Sequence, residues 1–210
     1  ELSSSQRRKA AVAYKREVLD LTTSLLVRTP TCSGVLVTPR HVLTAAHCVD
    51  GAKWVQLFPD STMVEVSSHE TFPNDLAVLR LKQPVTWISP QIFNKVRLQD
   101  DPTEDQFRLF VGAIYDSTLP NIYYCQDIDP SSKFIIKADN CALYPGTSGG
   151  PLFRVFGNQY KPLRFKIYGV ASATIVVNEV ESYKSQFAGV SNLSPEMIDE
   201  MKRSGLNDGI

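Results

Sequence analysis

The sequence lacks a surplus of either charge and any long apolar run. Lysine and arginine together number 22, as do aspartate and glutamate, and this balance indicates neither a basic surface for nucleic acid nor an acidic tail. Apolar runs such as 175–177 are far shorter than the roughly 18 residues that a membrane helix needs. Residues 3–15 also lack the apolar segment of a secretory leader, so we expect that a leader is absent or has been removed. We therefore expect no nucleic-acid partner and no membrane partner.

Cysteine is scarce, and none of the four cysteines belongs to a C-x-x-C pair, so a structural zinc site has little support. The pairs closest in sequence, Cys32 with Cys48 and Cys125 with Cys141, form one of the three connectivities that four cysteines allow. If these pairs are disulfides, the protein belongs in an oxidising compartment. Four buried free thiols are the alternative.

The chain alternates turn residues with short stretches rich in β-branched and aromatic residues, a pattern typical of strands. These stretches lie at 21–27, 33–37, 53–58, 62–66, 75–81, 107–115, 122–125, 133–137, 151–156 and 163–177. Amphipathic helices do not separate them, so the pattern favours an all-β fold, either a sandwich or barrels. The polar, proline-containing segment 98–106 is the best linker in the sequence.

Helices are predicted only at the two ends. Near the C-terminus, Ser194 is suited to cap a helix that has Pro195 in its first turn and Gly205 at its end. Near the N-terminus, the serine-led segment 3–18 predicts a shorter helix. We accordingly divide the chain into four parts. They are an N-terminal extension at 1–18, a first β unit at 19–104, a second at 105–193, and a C-terminal helix and tail at 194–210.

Three polar residues lie in stretches that suit acyl-transfer chemistry. Ser148 lies among glycines in "GTSGGPLF", and glycines permit the tight backbone that points N–H groups at a developing oxyanion. Asp75 begins an alternating apolar strand, so its carboxylate is expected at the rim of a sheet. His47 ends the apolar stretch "LTAAHC". In the order His47, Asp75, Ser148 they supply a general base, an orienting carboxylate and a nucleophile.

These motifs resemble those of the chymotrypsin/trypsin-fold serine peptidases. "CSGVLVTPRHVLTAAHC" is similar to the histidine region of that family with its bracketing cysteine pair, "NDLAVLRL" to its aspartate strand and "GTSGGPLF" to its nucleophile loop. The resemblance implies two antiparallel six-stranded β-barrels with the active site in the cleft between them. It implies a serine endopeptidase, a hydrolase that acts on protein or peptide substrates through an acyl-enzyme without a cofactor or metal.

The resemblance also assigns residues to roles. It implies an oxyanion hole made by the N–H groups of Gly146 and Ser148. "YGVASAT" is similar to the strand that pairs with the substrate backbone, which makes Ser172, Ala173 and Thr174 substrate-binding positions. Ala142 takes the place, six residues before the nucleophile, where trypsins have a pocket carboxylate. We expect disulfides at Cys32, Cys48, Cys125 and Cys141, a secreted or periplasmic location, and a monomer.

The sequence departs from the digestive branch of that family in two places. Thr147 stands before the nucleophile where that branch has an aspartate, and the N-terminal motif that pairs with the aspartate after activation is absent. We therefore expect an oxyanion loop that is preformed or ordered by something other than an amine–carboxylate pair. The 28 positions between His47 and Asp75 are closer to the bacterial glutamyl-endopeptidase-like or HtrA-like members.

Specificity and two alternative functions follow less directly. No histidine lies in the second half of the chain, so the glutamate-binding histidine of the glutamyl branch is missing, and we expect a preference for small or medium apolar residues. The alternatives are a catalytically silent homologue that acts as a binding module and an esterase that uses the same triad. A zinc site from His47, Cys48 and another histidine would leave the glycine-rich serine loop unexplained. His41 is expected to be exposed or hydrogen-bonded, and His69 to lie in a loop.

Overall fold

The structure is a computed structural model in which eleven parts of the chain are described. They are residues 3–58, 60–102, 109–114, 120–125, 128–129, 132–139, 141, 143, 146–158, 160–176 and 183–207.

Six strands of the first half close into a barrel, and neighbouring strands pair in the order β1-β2-β3-β6-β5-β4. Every residue of β2 and β3 is buried, because one side of each strand faces the barrel core while the other is covered by the rest of the molecule. The strands are Leu26–Arg28 (β1), Ser33–Thr38 (β2), His41–Ala45 (β3), Trp54–Leu57 (β4), Met63–Phe72 (β5) and Leu76–Leu81 (β6).

The second half forms a curled sheet of eight strands in the order β10-β11-β14-β13-β12-β8-β9, with β7 paired in parallel to β13. Its strand β8 packs against β1 and β2, and β13 packs against β3, so the two halves share an interface. The strands are Val96–Leu98 (β7), Leu109–Ile114 (β8), Pro120–Cys125 (β9), Ile128–Asp129 (β10), Ile135–Ala138 (β11), Pro151–Asn158 (β12), Lys161–Val176 (β13) and Tyr183–Gly189 (β14).

The predicted all-β architecture with a helix at each end is confirmed. The C-terminal helix α3 covers Pro195–Arg203, and a single helical turn, α2, covers Pro90–Phe93. As predicted, the Ser194 hydroxyl caps α3 by accepting a hydrogen bond from the backbone N–H of Met197. Gly205 follows the helix with a φ of 111°, a conformation that glycine adopts without strain.

The N-terminal helix is much longer than the sequence indicates. Helix α1 covers Ser4–Leu25, so the strand predicted at 21–27 is wrong except for its last two residues, which begin β1. The hydroxyl of Thr22 donates to the carbonyl of Val18, and that of Ser24 donates to the carbonyl of Asp20. These bonds satisfy side chains that usually disfavour helices, while tertiary packing buries the last turn.

Several strands also depart from the sequence prediction. Strand β5 runs ten residues, from Met63 to Phe72, and it places His69 in a strand, although we expected a loop there. His41 begins the strand His41–Ala45, as expected, whereas the strands Val96–Leu98, Ile128–Asp129 and Tyr183–Gly189 are not predicted from the sequence. Both disulfides form as expected, between Cys32 and Cys48 and between Cys125 and Cys141. Among the described residues, no helix is both long and apolar enough to cross a membrane.

A buried polar cluster fastens α3 to the first barrel. His41, only 2% exposed, contacts Glu200 of α3 through Nε2 at 2.5 Å and Thr38 Oγ1 through Nδ1 at 2.7 Å. Arg80, the cross-strand neighbour of His41, donates from Nε to the same Glu200 oxygen at 2.9 Å and from Nη2 to Glu70 at 2.8 Å. His41 is thus a buried, hydrogen-bonded residue of the fold.

We expect this cluster to make the protein less stable as the pH falls from 7 to 5. Burial lowers the pKa of His41 below its ordinary value of 6.5, although Glu200 opposes the shift. A group whose folded pKa is depressed binds its proton more readily in the unfolded chain, so stability is present above pH 6.5 and is lost as the pH falls below it. Hydrogen bonding from Arg80 lowers the pKa of Glu200, which adds a further loss at more acidic pH.

The measurement is the urea midpoint of unfolding at several pH values between 7.5 and 5. The variant His41→Gln should flatten the decline, because it removes the group that gains the proton. The matched control is His69→Gln, at an exposed position of β5. An equal pH slope for the wild type and His41→Gln would contradict the assignment.

Candidate active site

His47 lies just beyond the barrel strand β3, in the short helical turn Ala46–Cys48. Strand β3 pairs with β6 in a register that places Ala45 opposite Leu76. Asp75 directly precedes Leu76, so the antiparallel ladder brings Asp75 beside His47 although 28 positions separate them. The local strand pairing of a single barrel therefore builds this half of the site.

The carboxylate of Asp75 holds His47 at two points. Its Oδ1 accepts a hydrogen bond from the backbone N–H of His47 at 2.8 Å, and its Oδ2 lies 2.7 Å from Nδ1 of the ring. A carboxylate accepts but does not donate, so Nδ1 carries the proton and Nε2 carries the lone pair in the neutral ring. The His47 side chain is 49% exposed, so a substrate can reach it.

The backbone at Asp75 adopts an uncommon conformation. Asn74 and Asp75 have φ values of 64° and 75°, in the left-handed region that residues other than glycine seldom occupy. The amide of Asn74 donates to Asn192 Oδ1 at 2.7 Å, and the Asn192 amide donates in turn to the carbonyls of Phe134 and Gly189. Contacts from the second half of the chain thus support the turn that presents Asp75.

Ser172 also contacts this carboxylate. Its hydroxyl donates to Asp75 Oδ2 at 2.7 Å, so Asp75 receives three hydrogen bonds from the described residues. The substrate-binding role expected of Ser172 stays a prediction, and its hydroxyl is directed at Asp75. Ala173 and Thr174 follow it in β13, where they pair with Gln186 and Ser185 of β14. Ala142 lies outside the described residues.

Ser148 is half-buried in a tight loop that packs against the other half of the site. Within the loop, the N–H of Gly150 donates to the carbonyl of Thr147 at 2.9 Å. The loop is joined to β13 by two further bonds: the N–H of Gly149 donates to the carbonyl of Ala171, and the N–H of Ala171 donates to the carbonyl of Gly150, both at 2.8 Å. Since Ala171 precedes Ser172, one strand supports both the serine loop and Asp75.

A second connection between Ser148 and His47 runs through the first barrel. The backbone N–H of Ser33 donates to the carbonyl of Ser148 at 2.8 Å. Its neighbour Cys32 is bonded to Cys48, which directly follows His47. The structure therefore brings His47 and Asp75 into direct contact and links the Ser148 loop to both of them, through Ser33 and through β13.

Steric contacts explain why glycines occupy these positions of the loop. A Cβ on Gly149 would lie 2.1 Å from the carbonyl oxygen of Ser33 and 2.2 Å from Thr44 Oγ1, and its φ is 83°. A Cβ on Gly150 would lie 2.0 Å from the carbonyl oxygen of Gly112. Gly146 has a φ of 88°. The glycine pattern around Ser148 thus reflects close backbone approach to the first barrel at Gly149 and to β8 at Gly150, together with the positive φ of Gly146.

The cysteines beside His47 do not offer thiolates to a metal. Ligand atoms of Cys32, His47 and Cys48 lie within 4.8 Å of one another, a spacing that suits metal ligation. The two sulfurs are bonded to each other, however, and Nδ1 of His47 contacts Asp75. In this disulfide-bonded form, Cys32 and Cys48 support the turn that carries His47, and the three residues do not form a zinc site.

Sequence reasoning misses three residues that position the site. Asn74 and Ser33 lie in motifs that resemble the family, but the sequence assigns neither residue a role. Ser172 is assigned only a substrate-binding role. The signal for Asn74 is its place before the aspartate, because asparagine tolerates the left-handed conformation that the turn requires. Ser33 and Ser172 offer no such signal, since their partners lie 113 and 97 positions away in sequence.

The fold and this arrangement of residues define a class. The family model of the trypsin-like peptidase domain matches residues 32–158, more than half of the chain, and the chain therefore belongs to that family. Among curated proteins, brachyurin from Leptuca pugilator is 38% identical over 73 residues, which cover 26% of this chain and 32% of that protein. The chain thus matches just under a third of the length of brachyurin.

Proposed function

We propose that this protein is a serine endopeptidase that uses Ser148, His47 and Asp75. The observation that carries the proposal is the set of three hydrogen bonds on the Asp75 carboxylate, two from His47 and one from Ser172. These bonds fix the ring tautomer that leaves Nε2 free to accept a proton. Such a base is needed because a serine hydroxyl is a weak nucleophile on its own.

The chemistry follows in two halves. Ser148 Oγ attacks the substrate carbonyl carbon while His47 Nε2 takes its proton, and the N–H groups of Gly146 and Ser148 stabilise the resulting oxyanion. The C–N bond then breaks as the imidazolium gives its proton to the leaving amine, which leaves an acyl-enzyme. Water, deprotonated by His47, then attacks the ester carbonyl. The C–Oγ bond breaks as the imidazolium returns the proton to Ser148 Oγ, and the acid product leaves. Asp75 stabilises the imidazolium in both halves.

The setting of the enzyme is part of the proposal. Two disulfides suit an oxidising environment, and this supports a secreted or periplasmic location. The proposed enzyme acts on protein or peptide substrates, and its monomeric state stays a prediction. The preference for small or medium apolar residues and the placement near glutamyl-endopeptidase-like or HtrA-like members stay predictions. The preference depends on Ala142 and on the absence of histidine from the second half of the sequence, and the placement depends on the His47-to-Asp75 spacing.

The direct test is labelling with a fluorophosphonate, followed by mass spectrometry of the adduct. We expect one adduct, on Ser148, in the folded wild type and none in Ser148→Ala. The matched control is Ser191→Ala, which removes a hydroxyl that contacts only the carbonyl of Asp100 among the described residues and should label like the wild type. Absence of an adduct at Ser148 in the folded protein would overturn the proposed enzyme.

A peptide library then separates the two alternatives. Cleavage of peptides by the wild type, abolished in Ser148→Ala, is the result that a peptidase gives. Labelling of Ser148 without peptide cleavage but with ester turnover would assign the site to an esterase. Binding of peptides with neither labelling nor turnover would assign it to a silent binding module.

A further inference from the structure

Trypsin-like loops with an aspartate before the nucleophile have a charged group to hold them, and this loop has Thr147 there, fully buried. Something else must fix the peptide planes around Ser148. The Thr147–Ser148 plane matters most because it carries the N–H of Ser148, one of the two proposed oxyanion donors, and the planes on either side of it constrain its orientation. The residue that orders the loop therefore matters only if the proposed function is correct, and the inference rests on it.

The carbonyls of three successive loop residues are all occupied. Ser33 Oγ donates to the carbonyl of Gly146 at 2.8 Å, and Ser33 N–H donates to the carbonyl of Ser148 at 2.8 Å. Between them, the carbonyl of Thr147 accepts from Gly150 N–H. Because a trans peptide is planar, fixing each carbonyl also fixes the N–H on the other side of that peptide. The bond at Thr147 therefore aims the N–H of Ser148, and the two bonds from Ser33 fix the planes on either side.

The Ser33 hydroxyl contacts the loop at Gly146, where the absence of a side chain leaves the backbone free to adopt several conformations. Gly146 has a φ of 88°, and glycine allows the plane that follows it to rotate at little steric cost. A hydrogen bond to the Gly146 carbonyl selects one orientation of that plane. The backbone N–H of Ser33 cannot do this, because it is already bonded to Ser148.

Ser33 is itself held rigidly. It is fully buried at the start of β2, where it pairs with Arg28 of β1, and its carbonyl accepts from Thr44 Oγ1 at 2.9 Å. It directly follows Cys32, whose disulfide reaches the residue after His47. A donor that is fixed on three sides loses little entropy when it orients the loop.

We propose that Ser33 is a positioning residue that holds the oxyanion loop in its active arrangement, in the place of an amine–carboxylate pair. Its hydroxyl lies on the first barrel and its acceptors lie on the second half, so the loop is ordered by docking of the two halves. No cleavage at the N-terminus is needed for this.

The test compares Ser33→Ala with Ser67→Ala in the full chain. Ser33→Ala removes the hydroxyl and keeps the N–H that contacts Ser148, whereas Ser67→Ala removes an exposed hydroxyl that donates to the carbonyl of Arg80 in the same barrel. We expect Ser33→Ala to lower kcat and the rate of fluorophosphonate labelling by about 10-fold, with KM within about two-fold, because the part-buried carbonyl of Gly146 loses its donor. Ser67→Ala should match the wild type.

A peptide boronate, which forms a tetrahedral adduct with the nucleophile, separates positioning from simple loss of stability. Affinity for the boronate should fall in Ser33→Ala by the same factor as kcat/KM, with all rates normalised to titrated active sites. Ser33→Thr, which keeps a hydroxyl, should label several-fold faster than Ser33→Ala. Equal labelling, kcat and boronate affinity in Ser33→Ala and wild type would overturn the inference.

If Ser33→Ala does not fold, Thr44→Val gives the second reading. This near-isosteric change removes the hydroxyl that anchors the Ser33 carbonyl and should lower the labelling rate several-fold at unchanged KM; an unchanged rate would count against the inference. A wild type that fails to label at Ser148 would overturn the proposed function instead, so the two failures are distinct.

Discussion

Replacing Asp75 by asparagine is expected to lower kcat/KM by about 10⁴-fold while leaving the fold intact. The carboxylate accepts from the backbone N–H of His47, from its ring and from Ser172. A carboxamide has one oxygen for these three donors, and its NH₂ group favours the ring tautomer with its lone pair on Nδ1. Nε2, the proposed acceptor of the Ser148 proton, would then already carry a proton and could not act as the base.

The measurement is kcat/KM on a peptide cleaved by the wild type, together with the thermal midpoint of unfolding. The matched control is Asp199→Asn, which neutralises an exposed carboxylate of α3 and should keep full activity. A loss below about 10-fold in Asp75→Asn would show that this carboxylate does not govern the base.

Replacing Gly149 by alanine is expected to destabilise the protein by about 2–4 kcal/mol and to abolish labelling of Ser148. The new Cβ would lie 2.1 Å from the carbonyl oxygen of Ser33, at a φ of 83°. Because the obstacle is backbone on one side and a buried threonine on the other, neither can move aside without opening the interface between barrel and loop. A loss of this size lowers the thermal midpoint by about 10 °C in a chain of this length.

The chain offers a control that separates steric clash from backbone conformation. Gly51 has a similar φ of 76°, and the Cβ that alanine would add there meets no atom within 4 Å. Gly51→Ala should therefore cost only the conformational penalty of about 1 kcal/mol and leave labelling unchanged. Equal midpoints for the two alanine variants would refute the close approach at Gly149.

The sequence predicts those parts of the site that depend on local backbone geometry. The glycines around Ser148 are needed because the loop touches Ser33 and Gly112, and a requirement of that kind leaves a visible pattern of residues. The strand that follows Asp75 is likewise visible as an alternating apolar segment. The order of the three motifs along the chain then identifies the family, whose fold the structure has.

The features of the fold and site that the sequence does not predict depend on contacts between residues distant in sequence. Nothing local distinguishes Ser172, which contacts Asp75, from any other strand serine, and the same holds for Ser33. At the N-terminus, Thr22 and Thr23 favour a strand by propensity, yet tertiary burial of Leu21 and Leu25 on one helical face favours a helix. The link between His41 and Glu200 spans 159 positions and has no signature in the sequence around either residue.

Each terminal helix contacts the half of the molecule that lies farther from it in sequence. Helix α1 precedes the first barrel, but its Tyr14 hydroxyl donates to the carbonyl of Gly157 in the second sheet. Helix α3 follows the second sheet, but its Glu200 is bonded to His41 and Arg80 of the first barrel. The helix that precedes the first barrel thus contacts the second sheet, and the helix that follows the second sheet contacts the first barrel. Separating the two halves therefore requires the contacts of a terminal helix to break as well.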